Sequence, residues 1–185
     1  MIVALGDLTL NILVKPQLSH QRRTPGPGSV TMTGGGSAAN FAVWASRLGQ
    51  NVRFIGKVGT DPAAELLEVD LLKEGVLPEL VAENGSTSTL VQLVDNAGQQ
   101  TLMPDPGVAG RLRPEDVRAE WLADATWLHL PATSLYQLPV ATAAAKAVRL
   151  ARQAQARVSI DLASAAALRK YGPGKFAVLL KTIRP

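Results

Sequence analysis

The stretch GGGSAANFAVWASRLGQNVRFIGKVGTDPAAELLEVDLLKEGV, residues 34–76, contains the pattern that decides the fold. Its glycines lead into residues 38–48, an alanine-rich segment with the periodicity of an amphipathic helix. Residues 52–58 follow as an apolar run typical of a buried strand. Asp61 then stands where it can cap a second helix over residues 62–73. The stretch therefore predicts helix, strand and helix in succession, entered through a glycine loop.

The same alternation of strands and helices continues on both sides of this stretch. Residues 2–5, 127–130 and 158–161 are short apolar runs of the kind that form buried strands. Residues 139–153 and 176–184 carry apolar residues at helical spacing. Strands that alternate with helices favour a mainly parallel sheet with helices on both faces and right-handed crossovers. We therefore predict an α/β fold with a central parallel sheet.

Two β-rich segments do not fit that central sheet. Residues 8–33 combine strand-like runs with a loop rich in proline and glycine, and residues 87–103 contain two β-rich runs. The turn Asp95-Asn96-Ala97-Gly98 between these two runs indicates a hairpin. Both segments are predicted to form a small antiparallel flap that stands off the α/β core.

The composition excludes several classes of function. The chain has no cysteine, so it has neither disulfides nor thiolate metal sites nor a cysteine nucleophile. Its 19 basic and 15 acidic residues are scattered and only 4% of residues are aromatic, which argues against nucleic-acid binding. No stretch approaches 18 consecutive apolar residues, so no membrane partner is expected and the expected location is the cytoplasm.

The glycine loop at residues 34–40 is the first candidate for a site. Consecutive glycines let backbone approach a ligand closely, and the helix that follows presents free N–H groups. The spacing fits neither the dinucleotide fingerprint nor a P-loop, because the required glycine and lysine positions are missing. From these residues alone, two interpretations remain open: a ligand loop, or a tight turn in which Ser37 caps the helix.

The order of motifs along the chain resembles the PfkB-type, ribokinase-like carbohydrate kinases. In that family a Gly-Gly pair and an Asn precede an alanine-rich helix that ends in Arg-Leu-Gly, and a strand ending in Gly-x-Val-Gly-x-Asp follows. The resemblance covers essentially all 185 residues. The matching positions are Gly35, Gly36, Asn40, Arg47, Leu48, Gly49, Gly56, Val58, Gly59 and Asp61, followed by the turn at 95–98, GVAGRLRPEDV at 107–117 and VSID at 158–161.

This resemblance implies an ATP-dependent kinase that phosphorylates a hydroxyl of a sugar or nucleoside bound between the central sheet and a β-flap lid. By the same carry-over, Gly35 and Gly36 line the acceptor pocket through close backbone approach, and Asn40 lines it through its amide. Asn11 stands where the family places an aspartate that binds substrate hydroxyls. An amide still donates and accepts hydrogen bonds, but it lacks the charge-assisted acceptor pair of a carboxylate. Ala109 likewise replaces an asparagine found in many members.

The family's catalytic aspartate lies in a Gly-Ala-Gly-Asp turn near its C-terminal end, and no residue here matches it. Residues 172–175 are the nearest imitation, and we interpret them as a loop before the last helix. The resemblance therefore implies a truncated ribokinase-like fold, one partial domain over residues 1–185, which is inactive alone. ATP and Mg²⁺ are expected for a full-length member, with their binding residues outside this chain. The alternative is a non-catalytic protein that binds a small polyol, or a homodimer formed through the flap, since free strand edges invite pairing.

Several conspicuous side chains also have structural interpretations. Asp7 and Asp161 each follow a predicted strand, where a helix cap or a loop hydrogen bond is at least as reasonable as a ligand contact. His129 lies inside an apolar strand without metal-ligand spacing, so a packed or hydrogen-bonded histidine is expected. Trp44 is expected to pack in the core or on a helix face.

Overall fold

The computed structural model describes residues 1–16, 27–162 and 164–185, so residues 17–26 of the predicted flap lie outside the described part. No helix within the described ranges combines the length and the apolar character needed to cross a membrane. The strands in these ranges are β1 (Ile2–Leu5), β2 (Thr9–Pro16), β3 (Gly28–Gly35), β4 (Val52–Val58), β5 (Val76–Ala82), β6 (Thr89–Val94), β7 (Gln100–Asp105), β8 (Trp127–Pro131) and β9 (Arg157–Asp161). The α-helices are α1 (Ser37–Arg47), α2 (Pro62–Lys73), α3 (Val140–Gln153), α4 (Ala165–Tyr171) and α5 (Pro173–Ile183).

The central sheet has five parallel strands in the order β5-β4-β1-β8-β9, which confirms the predicted α/β fold. Successive side chains of a strand point to opposite faces, and β1 shows this directly. Val3 and Leu5 belong to the core beneath α3 and α5, whereas Ala4 belongs to the core beneath α1 and α2. Helices therefore cover both faces, as parallel sheets require.

Strand β5 has no counterpart in the sequence-based prediction. It begins at Val76, directly after Gly75 ends the preceding helix, and it contains Pro78 and Glu79, which are both unfavourable in strands. The structure places β5 at the edge of the sheet, where a proline is tolerated. Its pairing with β4 thus outweighs a poor local signal.

The predicted loop at residues 172–175 is wrong. Pro173 is the first residue of α5, so that only Gly172 separates α4 from α5. A proline at this position is favourable because its missing N–H would have no partner in the first turn. Helix α4 itself was not predicted from the sequence.

The flap is a second sheet with strand order β3-β2-β6-β7. Its outer pairs are antiparallel, as predicted, and the hairpin of β6 and β7 is confirmed. Its central pair, β2 with β6, is parallel, so the flap is a mixed sheet. The reason is topological: β2 follows β1 and β6 follows β5, so both leave the carboxyl edge of the central sheet in the same direction.

Candidate functional site

A cleft of about 300 Å³ separates the flap from the carboxyl edge of the central sheet. This edge is where open α/β sheets bind their ligands. We call it the flap cleft. The core contributes Gly6, Asp7, Ser37, Ala109, Gly110, Thr133, Ser134 and Gln137 to its lining, and the flap contributes Thr9, Thr89, Leu90, Pro104 and Asp105. Hydroxyl, amide and carboxylate groups thus line a small cleft that is open to solvent, together with a few apolar side chains.

Asp7 supplies the cap of α1. Its carboxylate accepts hydrogen bonds from the backbone N–H of Ser37 at 2.8 Å and of Ala38 at 3.3 Å. Gly36 is the N-cap residue, with φ of 105°, and a Cβ there would lie 2.3 Å from the carbonyl oxygen of Asp7. Ser37 is therefore the first residue of the helix and not its cap. With these two N–H groups already paired to a carboxylate, this helix start favours a neutral ligand over an anionic one.

Asn11 and Gly35 lie against each other on the flap. Asn11 is half-buried in β2 and pairs across the sheet with Thr33 of β3. A Cβ at position 35 would lie 2.2 Å from Asn11 Nδ2, so only glycine leaves space for the amide. The glycine at position 35 thus lets the Asn11 amide lie close to the start of α1.

Asn40 is exposed on α1 and lines a second cavity, of about 370 Å³, between α1, α2 and the end of β3. Gly35 also lines this cavity, whereas neither Asn11 nor Gly36 lines either cavity directly. The four predicted site residues therefore lie near the junction of the flap with α1, but the structure does not gather them around one cavity. Trp44 stands at the rim of the second cavity with 61% of its surface exposed and the Arg47 guanidinium 5.1 Å from its ring centroid, so it packs on the face of α1 and not in the core.

A buried lysine, missed in the sequence analysis, supports one wall of the flap cleft. Lys57 Nζ lies 2.9 Å from Glu83 Oε2 and 2.7 Å from Asp116 Oδ2, and only 3% of its side chain is exposed. Burial opposes the charged form, but the hydrogen bonds that Lys57 donates to Asp116 and Glu83 outweigh it and raise the lysine pKa. Arg111 adds a bond to Glu83 at 3.2 Å. The network anchors the segment that carries Ala109 to β4. The sequence signal that could have indicated this network is a lysine within the apolar run at residues 52–58.

The remaining candidates have structural roles. His129 is buried and hydrogen-bonded to Ser159, which confirms its predicted packing. Asp61 caps α2 as predicted, because its Oδ1 accepts from the N–H of Ala64 at 3.2 Å. Among the described residues, no group of three or more His, Asp or Glu side chains could hold a metal ion.

Comparison with known proteins gives a consistent picture. The model of the pfkB family of carbohydrate kinases matches residues 1–172. A probable fructokinase-3 of Arabidopsis thaliana is 29% identical over 87% of this chain and 47% of its own length. A fructokinase of Escherichia coli is 34% identical over 85% of this chain and 48% of its own length. The chain thus spans about half the length of the curated relatives it matches.

The fold is similar to solved kinases over the same part of the chain. A fructokinase from Xylella fastidiosa superimposes with a TM-score of 0.79 and 25% identity, over 90% of this chain and 53% of that one. A fructokinase from Xylella fastidiosa has also been solved with bound ATP.

Proposed function

Because the chain belongs to the pfkB family of carbohydrate kinases, we propose that it forms the acceptor-binding side of an ATP-dependent kinase for a hydroxyl of a sugar or nucleoside. The observation that carries this proposal is the flap cleft at the carboxyl edge of the central sheet, with polar side chains on both walls. Its size suits a single small polyol. The fructokinase names among the relatives favour a ketohexose as the first candidate.

Recognition of the acceptor would combine the flap and the start of α1. The amide of Asn11 can both donate to and accept from sugar hydroxyls. We assign Gly35 and Gly36 to the floor of the site through their backbone, and Asn40 to its far side through its amide. The apolar side chains of Leu90 and Pro104 would cover the C–H groups of the ring. Because Asp7 already neutralises the start of α1, this part of the site favours an uncharged acceptor over its phosphorylated product.

We assign ATP, Mg²⁺ and the catalytic base to the part of the relatives' length that this chain does not span. ATP dependence is supported by the ATP-bound structure of the similar fructokinase. On this proposal the chain alone binds an acceptor but transfers no phosphoryl group.

Calorimetric titration of the purified chain without ATP tests the acceptor assignment. Fructose, ribose, adenosine and inosine form the panel, and we expect saturable heat from at least one of them. A coupled assay with ATP should show no turnover of the ligand that binds. Absence of binding across the whole panel would contradict an acceptor site in this chain.

We further propose that the flap joins two copies of the chain. The strand registers place four exposed apolar side chains on one face of the flap. These are Val30 (61% exposed), Met32 (57%), Leu93 (38%) and Met103 (47%). The outer strands β3 and β7 each have one free edge among the described residues. A second flap offers the matching apolar face, and pairing would remove both from water.

A further inference from the structure

The loop that enters the flap ahead of β6, residues 83–88, passes through a slot between two core glycines. A Cβ on Gly59 would lie 2.3 Å from the carbonyl oxygen of Gly85. On the other side, a Cβ on Gly107 would lie 2.2 Å from the carbonyl oxygen of Ser86. Neither position can carry a side chain without moving backbone, so the slot fixes the path of this loop.

Thr87 fastens the loop within the slot. It is 1% exposed, and its hydroxyl donates to Asp61 Oδ1 at 2.5 Å while accepting from the N–H of Gly59 at 3.0 Å. Its own N–H donates to Asp61 Oδ2 at 2.7 Å. Asp61 Oδ1 also accepts from the N–H of Ala64. One carboxylate therefore binds both the loop that enters the flap and the start of α2.

The residues on either side of Thr87 bind two other segments that join the flap to the core: the start of β2 and the segment after β7. The carbonyl oxygen of Ser88 accepts from the N–H of Leu10 at 2.8 Å, and the two hydroxyls of Ser88 and Thr9 lie 3.0 Å apart. The carbonyl oxygen of Ser86 accepts from the N–H of Val108 at 2.9 Å, just after β7. Three of the four chain connections between flap and core therefore meet within residues 86–88.

We propose that Asp61 and Thr87 are positioning residues that set the distance between the flap and the core across the flap cleft. Ser88 and Thr89, which line the cleft, directly follow Thr87, so any displacement of Thr87 is transmitted to the cleft wall. The hydroxyl of Thr87 is the part of this anchor that can be removed without disturbing the cap of α2.

Hydrogen exchange on Thr87→Val and Thr87→Ser tests the anchor. Valine preserves the shape and the backbone N–H but removes the hydroxyl, whereas serine retains the hydroxyl. We expect the amides of Thr89–Val94 to exchange at least about tenfold faster in Thr87→Val, because valine removes both hydrogen bonds of the hydroxyl. Amides of β1 and α3 should be unaffected. Unchanged exchange in β6, or an equal increase in the serine variant, would overturn the proposal.

A distance measurement provides a second readout. The chain has no cysteine, so spin labels at Asn96→Cys in the flap turn and Ala145→Cys on α3 report the distance from flap to core. We expect a shifted or broader distribution in Thr87→Val and the original distribution in Thr87→Ser. Should Thr87→Val fail to fold, Asp61→Asn replaces it, because the amide oxygen can still cap α2 while one acceptor for Thr87 is lost. An unchanged distribution in the folded variant speaks against the anchor.

The expected effect on ligand affinity rests on the proposed function, but the anchor itself can be tested without a ligand. Both measurements above use the ligand-free chain. With fructose as the probe, Thr87→Val is expected to bind about tenfold more weakly, and Thr87→Ser as the parent does. If the parent binds no member of the panel, the proposed function fails while exchange and distances still decide the anchor. If exchange in β6 and the spin-label distance are unchanged in Thr87→Val, the anchor proposal is wrong, whatever ligand the parent binds.

Discussion

The imidazole ring of His129 stacks on the phenyl ring of Phe41, with ring centroids 3.6 Å apart and planes inclined by 13°. This contact joins β8 of the central sheet to α1, the helix whose start borders the flap cleft. His129 Nδ1 lies 2.9 Å from Ser159 Oγ, which also accepts from Trp127 Nε1 at 2.8 Å. Burial lowers the pKa of His129 below its usual 6.5, although the charge of Asp161 acts in the opposite direction. Burial therefore favours the neutral ring at neutral pH.

This lowered pKa predicts a loss of stability in mild acid. The unfolded chain binds the proton more readily, so the contribution of His129 is complete above pH 6.5 and decreases as the pH falls through the lower, folded pKa. Urea unfolding at pH 7.5 and at pH 5.5 measures the change. The variant His129→Phe keeps an aromatic ring on Phe41 but does not titrate, and it should lose less stability between the two conditions. Equal losses in both proteins would contradict this prediction.

Replacing Lys57 by methionine should destabilise the fold by about 2 to 3 kcal/mol. The change leaves Glu83 and Asp116 close together without their shared cation, and breaking a buried ion pair is costly. The effect is smaller than for a fully buried pair because both carboxylates keep some contact with water. The matched control is Lys73→Met, since Lys73 is exposed and its contact with Asp70 is 3.9 Å long, and it should cost less than about 0.5 kcal/mol. Urea unfolding at neutral pH compares them, and equal effects would refute a special role for Lys57.

Replacing Asn11 by aspartate should strengthen acceptor binding. A carboxylate accepts two charge-assisted bonds from neighbouring hydroxyls where the amide accepts weaker ones, which corresponds to roughly a five- to tenfold gain in affinity. Calorimetry with the panel sugar that the parent binds measures this gain. Asn96→Asp introduces the same charge in the flap turn and should leave affinity unchanged. Unchanged affinity in Asn11→Asp would place the acceptor away from this side chain, and weaker binding would contradict its role as a hydrogen-bond acceptor.

A lysine in place of Met32 should separate the proposed dimer. A charge at the centre of an apolar contact must be desolvated on association, so pairing of the two flaps would be strongly weakened. Light scattering coupled to size exclusion is expected to give the mass of two chains for the parent and of one chain for Met32→Lys. Val178→Lys changes an equally exposed apolar residue on α5 and should remain dimeric. A monomeric parent would end the dimer proposal.

The elements that could be predicted from sequence are those whose signals are local. Helix α2 and strand β4 have the predicted bounds because Asp61, an apolar run and Gly75 mark their limits within a few residues. Strand β5 could not be predicted because only its pairing with β4 compensates for Pro78. Local pattern decides an element only where tertiary contacts do not oppose it.

The candidate site illustrates the same limit. The motif order placed Asn11, Gly35, Gly36 and Asn40 near the junction of the flap with α1. However, the cap that Asp7 provides to α1 joins residues thirty positions apart, and no spacing rule indicates it. Likewise, the bond between Asp61 and Thr87 depends on how the loop before β6 passes the end of β4, which is a property of the assembled fold.

The parallel pairing of Asn11 in β2 with Leu90 in β6 also determines when the flap can assemble. The two strands are distant along the chain, and their entry points meet only after β1, β4 and β5 have aligned in the central sheet. During synthesis, β2 and β3 therefore leave the ribosome long before β6, the other partner of β2, exists. Over that interval their apolar side chains and free edges stay open to other chains. The first strand pair of the flap is thus exposed to misassociation until β6 and β7 have been synthesised.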